Sequence, residues 1–206
     1  MIPKLITERF ILREIKANDI FGYSEILSDS ETMKLFGGQV LTNDLDNKDF
    51  VQRMKSQREE GISYFWSITT KEDREFIGFI RLLSYNSFYF DASFSSLGAY
   101  KNNPDFLVYF DRVNGWEIDY ALIKSYWNKG IMTESVGAVI EFCKFEKLSP
   151  IYAKVNSLTN TATVKVLKHY NFQEFIPQVT NEKIEKNKFY SIVENNQIGM
   201  IFKWSM

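Results

Sequence analysis

Soft metal ligands are almost missing from this chain: 206 residues hold one cysteine, Cys143, and one histidine, His169. A lone cysteine excludes an internal disulfide framework and fits a reducing compartment. One Cys and one His cannot close a zinc-type ligand set, and no carboxylate cluster has metal-ligand spacing, so no metal site is expected. Long apolar runs are lacking as well, since no stretch reaches the ~20 apolar residues of a membrane span. Charges break every apolar run of the N-terminal segment Met1 to Arg9, which does not read as a signal peptide. Neither sign of charge is in excess: 25 basic against 26 acidic residues give a formal net charge of -1. No global basic field is therefore on hand to bind nucleic acid. These absences point to a cytoplasmic protein with neither nucleic acid nor membrane among its partners.

What is present is ordinary globular material, 45% hydrophobic and 25% charged, in a length that suits one domain over residues 1–206. Alternation of apolar and polar residues from Leu5 to Ile15 predicts a half-buried first strand. Asn18 is the predicted N-cap of a short helix carrying Ile20, Tyr23 and Leu27. A second short helix, about Glu31 to Phe36, is expected to stop at Gly37-Gly38. A third, Asp44 to Glu60, sets Leu45, Val51 and Met54 on one side and closes at Gly61. A hairpin follows, Ser63 to Thr70 and Phe76 to Ser84 about a polar turn. Beyond it the pattern predicts a strand at Trp116 to Ile123, a helix at Thr133 to Lys147, a strand at Ile151 to Val155, a helix at Thr161 to Tyr170, and strands at Phe172 to Ile176 and Gly199 to Trp204. Cys143 shares helical spacing with Val136, Val139 and Ile140 and reads as a small core residue. The fold class is α/β, a mixed sheet flanked by helices.

The most informative stretch runs from Ile118 to Glu134, where an apolar strand meets a glycine turn and passes directly into a helix. Amides of Asn128, Lys129, Gly130, Ile131, Met132 and Thr133 lie where a helix start leaves N–H groups unpaired and the helix dipole adds positive charge. Such an end can hold an anion, and Gly130 lets the backbone approach it closely.

The run Trp116-Glu-Ile-Asp-Tyr-Ala-Leu, then Tyr126-Trp-Asn-Lys-Gly-Ile-Met-Thr-Glu134, then Asn160-Thr-Ala-Thr163 and Leu167-Lys-His-Tyr-Asn-Phe172, resembles the acetyl-CoA-binding core of the GCN5-related N-acetyltransferases, the GNAT superfamily. Within it the chain is most similar to the RimJ/RimL type, which acetylates protein N-terminal amines. The resemblance implies a single GNAT-type domain with a mixed, mostly antiparallel sheet whose fourth and fifth strands, here Trp116 to Ile123 and Ile151 to Val155, splay around the coenzyme arm. It implies acetyl-CoA as co-substrate, its pyrophosphate on the turn at Asn128 to Thr133 with Lys129 adding charge. At the family's turn positions stand Trp127, Gly130 and Met132, the central glycine being the strict match. Trp127 reads equally as a core or rim anchor. A backbone N–H at Ala121 or Leu122 would polarise the thioester carbonyl. Asn160 reads both as a contact to the coenzyme arm and as a plain N-cap.

An amine acceptor is mostly protonated at neutral pH, so transfer needs a base. Glu117 and then Asp119 are the candidates: one residue apart on a strand they share a face, where mutual repulsion raises one pKa. The other reading of the pair is an exposed strand edge. The tyrosine that many family members use to protonate the thiolate falls here on Leu167, and Thr163 stands where the RimJ/RimL type often has serine, able to relay a proton through water. His169 and Tyr170, at the helix end, suit solvent-facing and core roles. The implied reaction is direct transfer to a primary amine, a protein N-terminus or a small molecule such as an aminoglycoside. A rival of another class is a non-catalytic module that binds acyl-CoA or a partner. Residues 85–115 form an aromatic-rich insertion, read as extra cover for the core, a substrate wall or a homodimer contact, and Asn181 to Lys188 as a solvated turn.

Overall fold

Alternation after Leu5 yields two strands where one was expected. In the computed structural model, which describes residues 2–36, 40, 47–72, 74–84, 115–155, 157, 159–175 and 200–206, β1 (Leu5–Ile6) and β2 (Phe10–Glu14) pair antiparallel, Leu5 opposite Leu12 and Ile6 opposite Ile11. Thr7 makes the break. Its N–H donates to the Phe10 carbonyl at 3.0 Å and its hydroxyl accepts the Phe10 N–H at 2.9 Å, a local closure that competes with a continuous strand.

Helix α1 (Asp19–Ser28) buries Ile20, Tyr23 and Leu27 as their spacing predicts. Asn18 is not its side-chain cap. The neighbouring Asp19 performs the local bonding instead: its carboxylate accepts from the Lys16 N–H, from both terminal nitrogens of Arg13 and from the Ser67 hydroxyl. Helices α2 (Ser30–Phe36) and α3 (Asn47–Glu59) follow. Gly61, at φ +72°, ends α3 as expected, with the Ile62 N–H returning to the Gln57 carbonyl at 2.8 Å. Met54 is buried. The expectations for Gly37, Gly38 and Leu45, for the side chain of Val51, for Tyr85 to Asn114 and for Asn181 to Lys188 lie outside the described residues.

Strands β3 (Ser63–Thr70) and β4 (Phe76–Ser84) form the expected hairpin, and β5 (Trp116–Leu122) adds antiparallel to β4. Helix α4 (Ile131–Glu146) starts two residues before the sequence expectation and leads to β6 (Ile151–Val155). Then come α5 (Thr161–His169), β7 (Gln173–Glu174) and β8 (Met200–Trp204). Among the described residues eight strands lie in the order β1-β2-β3-β4-β5-β6-β8-β7, with β5 and β6 the parallel pair among antiparallel ones. Because the first strand is split, the family's strands four and five are β5 and β6 here.

Two apolar clusters sandwich the sheet. One sets Ile118 and Leu122 of β5 against Val136, Val139, Ile140 and Cys143 of α4 and Leu167 of α5; the other sets Ala121 against Ile20, Tyr23 and Leu27 of α1 and Met33 of α2. Each large side chain so buried contributes roughly 1.5–3 kcal/mol. Cys143 is buried in the first cluster, where burial pushes its thiol up to about 12, so it is packing material with no thiolate near neutral pH. Among the described residues no helix is long and apolar enough to cross a membrane.

Candidate active site

Strands β5 and β6 pair at two positions, Trp116 with Ile151 and Glu117 with Tyr152, and then part. Beyond them β5 has no strand partner on that side among the described residues. The alternation of a ladder decides which groups this exposes. The Trp116 N–H donates to Pro150 on the β6 side, whereas the Ile123 N–H donates to Ile77 on the β4 side. Even-numbered residues of β5 therefore turn their N–H and C=O toward the gap, and odd-numbered ones toward β4. Of the two amides singled out in the sequence, Leu122 faces the gap and Ala121 faces β4; Tyr120 joins Leu122. The Leu122 carbonyl already has a partner, the Trp127 indole N–H at 3.0 Å. Trp127 is thus an anchor that ties the turn to the end of β5.

The turn enters α4 through two left-handed residues, Asn128 at φ +59° and Gly130 at φ +72°. Gly130 is the N-cap and supplies no side-chain bond, so no side chain of the cap occupies the first amides of α4. Ile131 and Met132 send their side chains into the core, while Lys129 is exposed with its ammonium 5.3 Å from the Tyr126 ring centre. Arg9, which the sequence reading did not single out, braces the turn from the β1–β2 side. It donates to the Lys129 carbonyl at 3.1 Å, and its backbone N–H and Nε reach the two Glu134 oxygens at 2.7 Å each. Burial favours protonation of Glu134, yet the bonds from Thr7 and Arg9 outweigh it and hold this carboxyl below its ordinary value.

Across the gap, Asn160 caps α5, its side-chain oxygen accepting the Thr163 N–H at 3.1 Å. Leu167 is fully buried. His169 is exposed in the last turn, its ring edge-on to Tyr170. Tyr170 reaches back to donate to the Thr133 carbonyl at 2.6 Å.

Glu117 and Asp119 share the α1–α2 face of β5, and the exposed-edge reading of Glu117 is overturned, because that residue is 1% exposed. Each carboxylate has a cation. Lys154 of β6 sits 2.7 Å from Glu117 with both side chains buried, and Arg81, directly opposite Asp119 in the β4–β5 register, forks onto it with Nε at 3.0 Å. Burial pushes the Asp119 carboxyl up, against the pull of Arg81 and with a smaller push from Glu117; burial also pushes Lys154 down, against Glu117. Neither cation was read from the sequence. The available signal was one charge inside each apolar strand, Arg81 in Phe76–Ser84 and Lys154 in Ile151–Val155.

The two carboxylates, Lys154, the turn and the start of α5 line one cavity of about 350 Å³, while Arg9, Arg81, Glu134, Leu167, His169 and Tyr170 stand behind its wall. It brings together every site residue read from the sequence: Glu117, Asp119, Ala121, Leu122, Trp127, the turn from Asn128 to Thr133, Asn160 and Thr163. It adds Thr32, Leu35 and Phe36 of α2 as a wall on the face that carries the carboxylates. Among the described residues no group of three His, Cys, Asp or Glu side chains could hold a metal.

The chain as a whole is similar to known acetyltransferases. The N-acetyltransferase p20 of Bacillus licheniformis is 28% identical over 172 residues, 82% of each chain. Among solved structures, the ribosomal-protein-S5-alanine acetyltransferase of Vibrio fischeri superposes with a TM-score of 0.66 at 14% identity, covering 98% of this chain and 96% of the other. Mycobacterium smegmatis RimJ, in complex with CoA-disulfide, superposes with 0.61 at 16% identity, covering 99% and 86%. At such identities the structures speak for the fold alone, whereas the sequence profile described as "Acetyltransferase (GNAT) domain" matches residues 9–173. The chain belongs to the GNAT family of acetyltransferases, whose fold uses acetyl-CoA.

Proposed function

We propose that this protein moves an acetyl group from acetyl-CoA to the N-terminal amine of a protein by direct transfer, with no covalent enzyme intermediate. The observation that carries the reading is the edge of β5, without a strand partner there among the described residues, facing a cavity that ends at the uncapped start of α4. A pantetheine arm supplies the hydrogen-bonding partner that this edge lacks, and the pyrophosphate supplies the anion that the helix start favours. In this reading the amides from Asn128 to Thr133 hold phosphate, Lys129 adds charge, Asn160 meets the coenzyme arm, and the Leu122 N–H polarises the thioester carbonyl. Glu117 and Asp119 take the amine proton, Asp119 being helped by burial that increases its proton affinity. Thr163 stays in the proposal as a hydroxyl beside the reacting end.

A protein N-terminus is favoured over a polycationic small molecule because the cavity carboxylates are matched by Arg81 and Lys154, leaving no net acidic cleft among the described residues. The names of two similar structures, a ribosomal-protein-S5-alanine acetyltransferase and a ribosomal L7/L12 alpha-N-protein acetyltransferase, point the same way.

The test is the melting temperature with and without acetyl-CoA, followed by mass spectrometry of an acceptor panel. Saturation at ~100 times the dissociation constant adds about 2.7 kcal/mol, a rise of several degrees for a domain of this size. Acetylation of peptide N-termini in preference to polyamines and aminoglycosides is the expected result. Absence of any thermal shift, or transfer confined to the small amines, would overturn the proposal.

A further inference from the structure

Tyr120 carries a buried hydroxyl that makes no hydrogen bond of good geometry among the described residues, with the Thr163 hydroxyl nearby. The residue lines the cavity, and its side chain packs against the cluster containing Ile118, Leu122 and Leu167, on the α4–α5 face of the sheet. Glu117, Asp119 and Ala121 point to the opposite face, where α1 and α2 lie. One strand thus offers carboxylates on one side of the gap and a phenol on the other. A thioester lying in the gap would have its amine nucleophile attended from the α1–α2 side and its sulfur from the α5 side. Leu167 has no polar atom to give that sulfur.

We propose that Tyr120 donates the proton to the departing coenzyme A sulfur, an assignment that rests on the acetyl-transfer reading above. As the C–S bond breaks, its electron pair goes to sulfur and the Tyr120 O–H proton follows, giving the free thiol. The new C–N bond stays, the proton shed by nitrogen leaves through the carboxylate side, and solvent re-protonates the phenolate. Burial raises the phenol's pKa, tempered by the nearby Thr163 hydroxyl, so the donor is loaded throughout the neutral range. The same dry surroundings disfavour a naked thiolate, which increases the sulfur's demand for that proton.

Tyr120→Phe tests the assignment with little risk to the fold, because the hydroxyl it removes makes no hydrogen bond of good geometry among the described residues, the Thr163 hydroxyl lying nearby; its melting temperature should stay close to that of the wild type. Of three further readouts, two are expected to move. The dissociation constant for acetyl-CoA stays within about twofold, kcat falls by about a hundredfold, and the ultraviolet titration of the thiol of bound coenzyme A shifts to higher pH, since a donor to its thiolate is gone. The thiol titration needs no acceptor. If the wild type binds coenzyme A and its bound thiol titrates identically in Tyr120→Phe, the Tyr120 assignment is overturned and the acetyl-transfer reading is untouched. If the wild type does not bind coenzyme A, both fall.

Discussion

The Tyr170 hydroxyl donates to the Thr133 carbonyl at 2.6 Å, tying the end of α5 to the first turn of α4. Room for this contact comes from Gly137, where a Cβ would lie 2.4 Å from the same hydroxyl. Gly137→Ala should therefore destabilise the protein by about 1–3 kcal/mol through overpacking, although alanine is the better helix former by about 1 kcal/mol. In a Tyr170→Leu background the sign should reverse. Urea unfolding of the four proteins in this cycle measures it, and additive effects would refute the contact.

Gly130 separates geometry from charge. Gly130→Ala places a side chain at φ +72°, a strain of about 1–2 kcal/mol, but its Cβ meets only Arg9 Nη2 at 3.4 Å. Gly130→Glu adds a negative charge where phosphate is proposed to sit. Calorimetric titration should show acetyl-CoA affinity reduced within about tenfold for the alanine variant and by more than ~100-fold for the glutamate variant. Equal losses in the two would mean that no anion sits at this turn.

Asp19 links the fold to acid stability. Burial alone would raise its carboxyl, but the bonds from Arg13, Lys16 and Ser67 outweigh that and hold it below the usual carboxylate value. A depressed carboxyl stabilises above its unfolded value near ~3.9 and loses that contribution as pH falls through the folded value. Asp19→Ala should cost about 3–5 kcal/mol near neutral pH. The gap to the wild type should stay level above about pH 5 and narrow as the pH falls below about 4. A gap independent of pH down to unfolding would show that the stabilisation is not carried by the ionised form.

The buried Lys154–Glu117 pair predicts asymmetric mutants. Lys154→Met leaves a carboxylate buried without its cation and should cost about 3–5 kcal/mol, whereas Lys154→Met with Glu117→Gln should recover most of it. Denaturant midpoints of the single and double variants decide. A double variant no more stable than Lys154→Met would argue that the pair contributes little beyond packing.

How far this was legible from the residues depends on the range of the interaction. The run from Trp116 to Thr133 announces its strand, turn and helix because local periodicity and a glycine at positive φ are local properties, and the cavity gathers each residue chosen there. Thr7 split the first strand unnoticed, since a hydroxyl that closes a turn reads like any polar residue of an alternating strand. Arg9, Arg81 and Lys154 stayed hidden because their partners lie 125, 38 and 37 positions away, and only the register of the sheet reveals which charge meets which. The direction of each β5 amide was equally out of reach, for it depends on the parity of the β4–β5 ladder.

The parting of β5 from β6 gives the sheet a seam. On one side lies the continuous antiparallel body from β1 to β5, on the other the three-stranded piece of β6, β8 and β7, and two residue pairs at Trp116 and Glu117 are the stitches between them. Opening there breaks the fewest ladder bonds of any strand boundary that crosses the middle of the sheet. A coenzyme arm lying along Tyr120 and Leu122 would act as a removable strand, so the slowing of deuterium uptake on loading should be concentrated at those two amides and fade toward β1.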